Sequence, residues 1–244
     1  MGINFMSLVL FAALNILAIQ LNKCRRSVLK LTLGALLAVL FAGNLFRYLY
    51  AYPRLVGEVH IPIEYSTVAY FLVPVFMLVN RRRSRVWASI YGLTAGLLYY
   101  LTMILAANRL YADAPYYDVY ISLFCHGTLY LNGVICLSRE RITTRDVAKT
   151  MLCLLIVSIR ALLLRKYAID ADELFIYDIM FGNVIRMVTP ESTWFIMVPV
   201  YYIALNAVII RCLKGFFPHK QDKKPQKAPD ADDSGDSGAS DGPA

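Results

Sequence analysis

Apolar residues run along this chain in seven long stretches separated by short polar connections. Each stretch has about 18 to 22 residues, which is the length that an α-helix needs to cross a hydrocarbon core of roughly 30 Å. The pattern predicts an all-α, polytopic membrane bundle of about seven transmembrane helices. The predicted spans are residues 3–21, 28–50, 61–79, 86–107, 119–138, 147–165 and 194–213.

Two segments break this pattern. Residues 166–193 form the one long connection, and their mixture of apolar and polar residues favours a lid or an interfacial helix over the outer mouth of the bundle. After Gly215 the chain changes to Lys, Pro, Asp, Ser, Gly and Ala, a composition that cannot bury a core. We therefore predict a transmembrane domain at 1–217 and a disordered tail at 218–244.

Clusters of basic residues predict the orientation. They follow the first, third, fifth and seventh spans, whereas the other connections carry few cations. Since basic loops stay on the cytoplasmic side, we expect the N-terminus outside, the tail in the cytoplasm and the protein in the cell membrane. Tyrosines gather on the opposite side, as in an interfacial aromatic belt. The clusters are Lys23–Arg26, Arg81–Arg85, Arg139–Lys149 and Lys214–Lys227.

Composition narrows the function classes. The 244 residues are 58% hydrophobic and 17% charged, which is too apolar for one soluble core. The net charge of +8 comes from short clusters between apolar runs rather than from one basic face, so no nucleic-acid partner is expected. The five cysteines form no C-x-x-C pair, and neither a metal site nor a cofactor is predicted. Membrane lipids are the expected partners, and the oligomeric state is left open.

Polar residues recur at helical spacing inside several spans. Asp118, Ser122, His126 and Tyr130 lie four residues apart and form one stripe, which should face the bundle interior because a lipid-facing stripe would be costly. Small residues, Ala88, Gly92 and Gly96, recur in the same way on the fourth span and predict close helix packing. On the second span, Asn44, Arg47 and Tyr48 share a face.

The stretch from Ile61 to Pro74 opens the third span with polar groups already inside it. Pro62 suits the first turn of a helix, and Glu64 falls in that turn, close to the positive end of the helix dipole. Thr67 lies on the same helix face as Glu64, whereas Ser66, two residues after Glu64, points roughly the other way.

By the predicted topology these polar groups lie in the outer half of the membrane. A histidine, a hydroxyl and a carboxylate suffice for acyl transfer, so we assign His126 as the base, Ser66 or Thr67 as the nucleophile and Glu64 as the orienting acid. Cys125 remains open as the reactive residue. Arg47 or Arg160 would hold a phosphate or an oxyanion. Asn44 and Ser122 complete the predicted substrate-binding set.

The same residues have a structural interpretation. Glu64 would then pair with an arginine to neutralise buried charge, and His126 would hydrogen-bond a neighbouring helix as packing. Three functions stay open from the residues alone: a lipid acyltransferase or hydrolase, a lipid or small-molecule binding or transport protein, and a structural membrane protein.

The Ile61–Ser66 stretch followed by Pro74 resembles the start of the third span in the YwaF-like family, whose members carry a Leu-Pro-Leu-His-Leu-Cys pattern there. Glu64 stands at the family's His position and Ser66 at its Cys position. Ser122–Gly127 is similar to the family's His-Gly element, and Gly182-Asn183 with Pro190 and Trp194 is similar in layout. The resemblance covers most of residues 40–212.

This resemblance implies a helical membrane bundle. The family includes transmembrane protein 164, whose branch is associated with moving fatty acyl chains between glycerophospholipids. It implies that Ser66 is the nucleophile and that His126 is its partner. A serine hydroxyl in place of a thiol needs a stronger base, because its pKa is several units higher.

Overall fold

The computed structural model describes residues 2–56, 65–79, 81–110, 116–140, most of 142–160 and a few positions between 204 and 211. The helices in these ranges are α1 (Ile3–Lys23), α2 (Arg26–Phe46), α3 (Tyr65–Leu78), α4 (Arg82–Leu110) and α5 (Tyr116–Leu137), and a π-helix, Arg47–Val56, continues α2. No β-strand occurs in the described part of the chain. The predicted all-α class is confirmed there.

Four of these helices, α1, α2, α4 and α5, are long and apolar enough to cross a membrane. The helix α3 is a shorter apolar helix, and the predicted first turn of its span, residues 61–64, lies outside the described residues. Four helices of this length and composition indicate a membrane protein. Of the predicted sixth span, short helical runs between 148 and 160 are described, and of the seventh only positions 204, 207, 208 and 211, which are also helical. The connection at 166–193 and the tail at 218–244 lie outside the described residues.

The helix α4 is the centre of the bundle, and it packs against α1, α3 and α5. A Cβ atom on Gly96 would lie 2.6 Å from the carbonyl oxygen of His126, and one on Gly92 would lie 3.2 Å from that of Leu129. The predicted role of this small-residue stripe in helix packing is confirmed. Gly133 on α5, which we did not predict, has the reciprocal contact, because its Cβ would lie 2.5 Å from the Cβ of Leu93.

The outer surface of the helices is apolar. Large side chains such as Leu31, Leu78 and Leu105 are at least three-quarters exposed, with 76%, 83% and 79% of their surface accessible. Exposed apolar surface of this extent is unfavourable in water, whereas lipid covers it without cost.

The contacts between helix ends divide the bundle into two chemically different ends. At one end, Arg139 donates to the backbone oxygen of Asn22 at 2.9 Å and Arg85 pairs with Glu140 at 2.8 Å. The predicted basic clusters after the first, third and fifth spans therefore meet at this end, which we call the basic end. The opposite end carries the exposed Tyr116 and Tyr117, and we call it the tyrosine end.

The second span departs from the predicted helix at its C-terminal end. We predicted a regular helix to residue 50, but α2 ends at Phe46 and the π-helix follows. Pro53 lies in that stretch, lacks a backbone N–H and disfavours α conformation in the residue before it. The backbone hydrogen bond that an N–H at position 53 would donate is therefore missing from this stretch.

Candidate functional site

His126 lies in the middle of α5 and is only 3% exposed. Its Nδ1 is 2.8 Å from the carbonyl oxygen of Ser122, one turn earlier in the helix. A carbonyl oxygen can only accept, so Nδ1 carries the proton and donates it to Ser122. The other ring nitrogen, Nε2, is then an acceptor.

The hydroxyl of Tyr70 on α3 contacts the imidazole of His126. Its Oη lies between the two ring nitrogens of His126, 3.0 Å from Nδ1 and 3.2 Å from Nε2, and a hydroxyl can both donate and accept there. Tyr70 and His126 thus form a polar contact between α3 and α5 inside the bundle.

A second tyrosine fixes the plane of the imidazole. The ring of Tyr99 on α4 stacks on His126 with centroids 3.6 Å apart and an interplanar angle of 7°. The Tyr70 ring meets His126 nearly edge-on, with an angle of 80°. Side chains of α3 and α4 therefore hold the imidazole of α5 in one orientation.

Asn44 connects α2 to the same region of α5. Its Nδ2 donates to the carbonyl oxygen of Leu40 at 2.8 Å and to the sulfur of Cys125 at 3.5 Å. Its Oδ1 is buried and has no hydrogen-bond partner among the residues that the structure describes. A buried acceptor without a donor is unfavourable, so this oxygen could accept a hydrogen bond from a hydroxyl or an N–H group of a ligand.

Arg47 closes the site toward the tyrosine end. Its guanidinium lies 3.4 Å from Oδ1 of Asp118, and both side chains are partly exposed. In this state the charge of Arg47 is shared with a carboxylate of its own bundle. An incoming phosphate would therefore compete with Asp118 for it.

The structure brings together several of the predicted site residues. Polar contacts join α2, α3 and α5 through Asn44, Arg47, Cys125 and His126. Ser66 and Thr67 lie in the first described turns of α3 and are half-buried. Ser122 contributes its carbonyl oxygen to His126.

Two predicted site residues are not part of these contacts. Arg160 is helical and half-buried, but none of these three contacts involves it. Glu64 lies outside the described residues, so its pairing stays a prediction.

Sequence reasoning missed Tyr70 and Tyr99. Tyrosines in apolar spans are common packing residues, and neither follows the four-residue spacing of the Asp118–Tyr130 stripe. One signal was present for Tyr70, which lies three residues after Thr67 and four after Ser66 and so shares their side of α3.

The site contains a buried imidazole, an unsatisfied amide oxygen and, one turn before Tyr70 on α3, two half-buried hydroxyls. These are groups for proton transfer and hydrogen bonding. Among the described residues, no three His, Cys, Asp or Glu side chains are grouped closely enough to hold a metal ion.

Comparison with models of protein families, with curated proteins and with solved structures gives no match for this chain.

Proposed function

We propose that the protein is a membrane-embedded lipid acyltransferase or hydrolase of the YwaF-like type, with Ser66 as nucleophile, Thr67 as the alternative and His126 as base. The observation that carries the proposal is the contact between the buried imidazole of His126 and a hydroxyl of α3, that of Tyr70, whose Oη lies 3.0 and 3.2 Å from the two ring nitrogens. Side chains of a helix lean toward its N-terminus, so the Tyr70 hydroxyl is expected over the turn that holds Ser66 and Thr67. This supports a common level for base and nucleophile.

The reaction would proceed in two steps. The Ser66 oxygen attacks the ester carbonyl of a lipid while His126, having exchanged its contact with the Tyr70 hydroxyl for Ser66, takes the hydroxyl proton, and that proton then passes to the glycerol oxygen as the ester C–O bond breaks. The acyl chain is left on Ser66 as an ester. A hydroxyl of a second lipid, or water, then removes it by the reverse proton route.

Three further groups have expected roles in this scheme. The Oδ1 of Asn44 would accept a hydrogen bond from the hydroxyl of the acceptor lipid. Arg47, or Arg160, would bind the phosphate, which requires Arg47 to exchange its contact with Asp118 for the lipid. Glu64 would orient the attacking group.

This proposal includes the topology of about seven helices in the cell membrane. The N-terminus and the tyrosine end lie outside the cell, and the tail lies in the cytoplasm. It is supported by the meeting of three basic clusters at one end of the bundle, since basic loops favour the cytoplasmic side. Reporter fusions at Cys24 and at the C-terminus test it. Activity of a C-terminal reporter only outside the cytoplasm would contradict it.

A serine-reactive lipid phosphonate tests the chemistry on the purified protein. We expect it to label the wild type and Ser138→Ala, a control at the exposed basic end, but not Ser66→Ala. Labelling that is lost only in Thr67→Ala would reassign the nucleophile to Thr67. Labelling that persists when both hydroxyls are removed, or that never occurs in folded wild type, would overturn acyl chemistry.

One observation favours a second function, lipid binding or transport without a reaction. His126 is buried and both of its ring nitrogens are already hydrogen-bonded, as in a structural histidine. In that case the lipid acyl-chain profile of cells would be the same with the protein, without it and with His126→Ala, while lipid would still co-purify with the protein.

A further inference from the structure

A large groove lies at the basic end, far along α2 from Asn44. The N-terminal half of α2, the C-terminal half of α3 and the C-terminal end of α5 enclose a cavity of about 790 Å³. Its size falls within the range of about 300–1,000 Å³ that small-molecule sites occupy. Its wall is mostly aliphatic and includes Leu33, Leu37, Val75 and Leu78.

The groove exists because α2 and α3 touch near the tyrosine end and separate toward the basic end. Near their contact, the rings of Phe41 and Phe71 meet edge-on at 5.9 Å, and Leu40 packs in one cluster with Ala69. Below Phe41, Gly34 faces open space, since a Cβ atom there would have no neighbour within 4 Å. The absence of a side chain at Gly34 leaves room between the helices.

The rim of the groove is cationic. The cations Arg26, Lys30, Arg85 and Arg139 line it, and Glu140 is the one carboxylate among the lining residues that the structure describes. Glu140 is already bound to Arg85 at 2.8 Å, and Arg139 is bound to the neutral Asn22. Within the described ranges no carboxylate lies at ion-pair distance from Arg26, Lys30 or Arg139.

We propose that this groove binds an anionic phospholipid of the leaflet at the basic end, with an acyl chain along the aliphatic wall and its phosphate between Arg26, Lys30 and Arg139. Basic pockets between transmembrane helices are known binding sites for anionic lipid head groups. An aliphatic wall of this length has no use for a free phosphate, which is why we assign a lipid. The site lies at the opposite end from the acyl chemistry proposed above and does not depend on it.

Native mass spectrometry of the full-length protein in detergent, titrated with phosphatidylglycerol or phosphatidylcholine, tests the head-group contacts. Arg26→Gln/Lys30→Gln should weaken phosphatidylglycerol binding about 25-fold, since each cation near an anionic head group contributes about fivefold. Phosphatidylcholine binding should change little. The matched control is Arg81→Gln/Arg83→Gln, which removes two exposed cations near the same end that do not line the groove.

Gly34→Leu tests the apolar wall. The leucine would project into the groove without a clash, so the protein should fold, while binding of both lipids falls. Equal loss of phosphatidylglycerol in the two double variants would overturn the site, because only general surface charge would then matter. So would wild-type binding in Gly34→Leu, competition by inorganic phosphate alone, or a wild-type groove that takes neither lipid because another segment of this chain fills it.

Discussion

Gly96→Ala is the sharpest test of how the bundle is built. A Cβ atom at this position would lie 2.6 Å from the carbonyl oxygen of His126, 2.7 Å from the Cβ of Tyr130 and 2.8 Å from its backbone nitrogen. All three atoms are fixed to the α5 backbone, so no side chain can rotate away. Ordinary contact begins at 3.4 Å, and α5 would have to move by the difference from 2.6 Å, about 0.8 Å.

The expected loss can be worked from two opposing terms. Alanine is favoured over glycine inside a helix by about 0.8–1.0 kcal/mol. Overpacking of a close contact costs about 1–3 kcal/mol, and the rigid neighbours of Gly96 favour the upper part of that range. We therefore expect Gly96→Ala to lower the free energy of unfolding by about 1–2 kcal/mol.

The matched control is Gly34→Ala. It is the same substitution in a transmembrane helix, but it meets no atom within 4 Å. It should raise the free energy of unfolding by about 0.5–1 kcal/mol through the helix term alone. Unfolding in mixed detergent and dodecyl sulfate, followed by circular dichroism, measures both. If Gly96→Ala is as stable as Gly34→Ala, the close packing of α4 on α5 is wrong.

Three further predictions follow from the polar contacts. Tyr70→Phe should destabilise the protein by about 1–3 kcal/mol, because it leaves the buried imidazole of His126 without its hydroxyl partner, and an unchanged unfolding free energy would contradict that contact. Asp118→Asn should cost less than about 1 kcal/mol in the same assay, because the pair with Arg47 is partly exposed; a larger loss would show that the pair is more than a surface ion pair. At the basic end, burial raises the pKa of Asp146, but hydrogen bonds from Thr143 and the charge of Arg82 outweigh it and hold the pKa below its ordinary value. The stabilisation is therefore present above the ordinary pKa and is lost as pH falls through the lowered one, so wild type and Asp146→Asn should converge in stability below about pH 4, and a constant difference across that range would refute the assignment.

The spans could be predicted because the bilayer sets their length. For α4 and α5 the predicted bounds, 86–107 and 119–138, differ from the observed ones by a few residues at each end. The hydropathy signal is lost in the interfacial turns, where Arg82 and Tyr116 extend the helices beyond the hydrocarbon core. The same reasoning could not find the π-helix, because its i→i+5 hydrogen bonds leave no periodic mark in ten residues.

The polar site was only half predictable. Spacing identifies which side chains share a helix face, and so it placed Ser122 and His126 together. It says nothing about which side chain of another helix meets that face. Tyr70 and Tyr99 reach His126 because α3 and α4 cross α5 at that height, and crossing points follow from packing of small residues such as Gly96 rather than from the polar residues themselves.

The hydroxyls of α4 also bear on how the chain enters the bilayer. Ser89, Thr94 and Thr102 each donate to the carbonyl oxygen four residues earlier, so their polar groups are satisfied inside their own helix. Such a helix can be stable in the lipid bilayer before it packs against another helix. The contact between Tyr70 of α3 and His126 of α5 is of the other kind, because it joins two helices and can form only after α5 has been made.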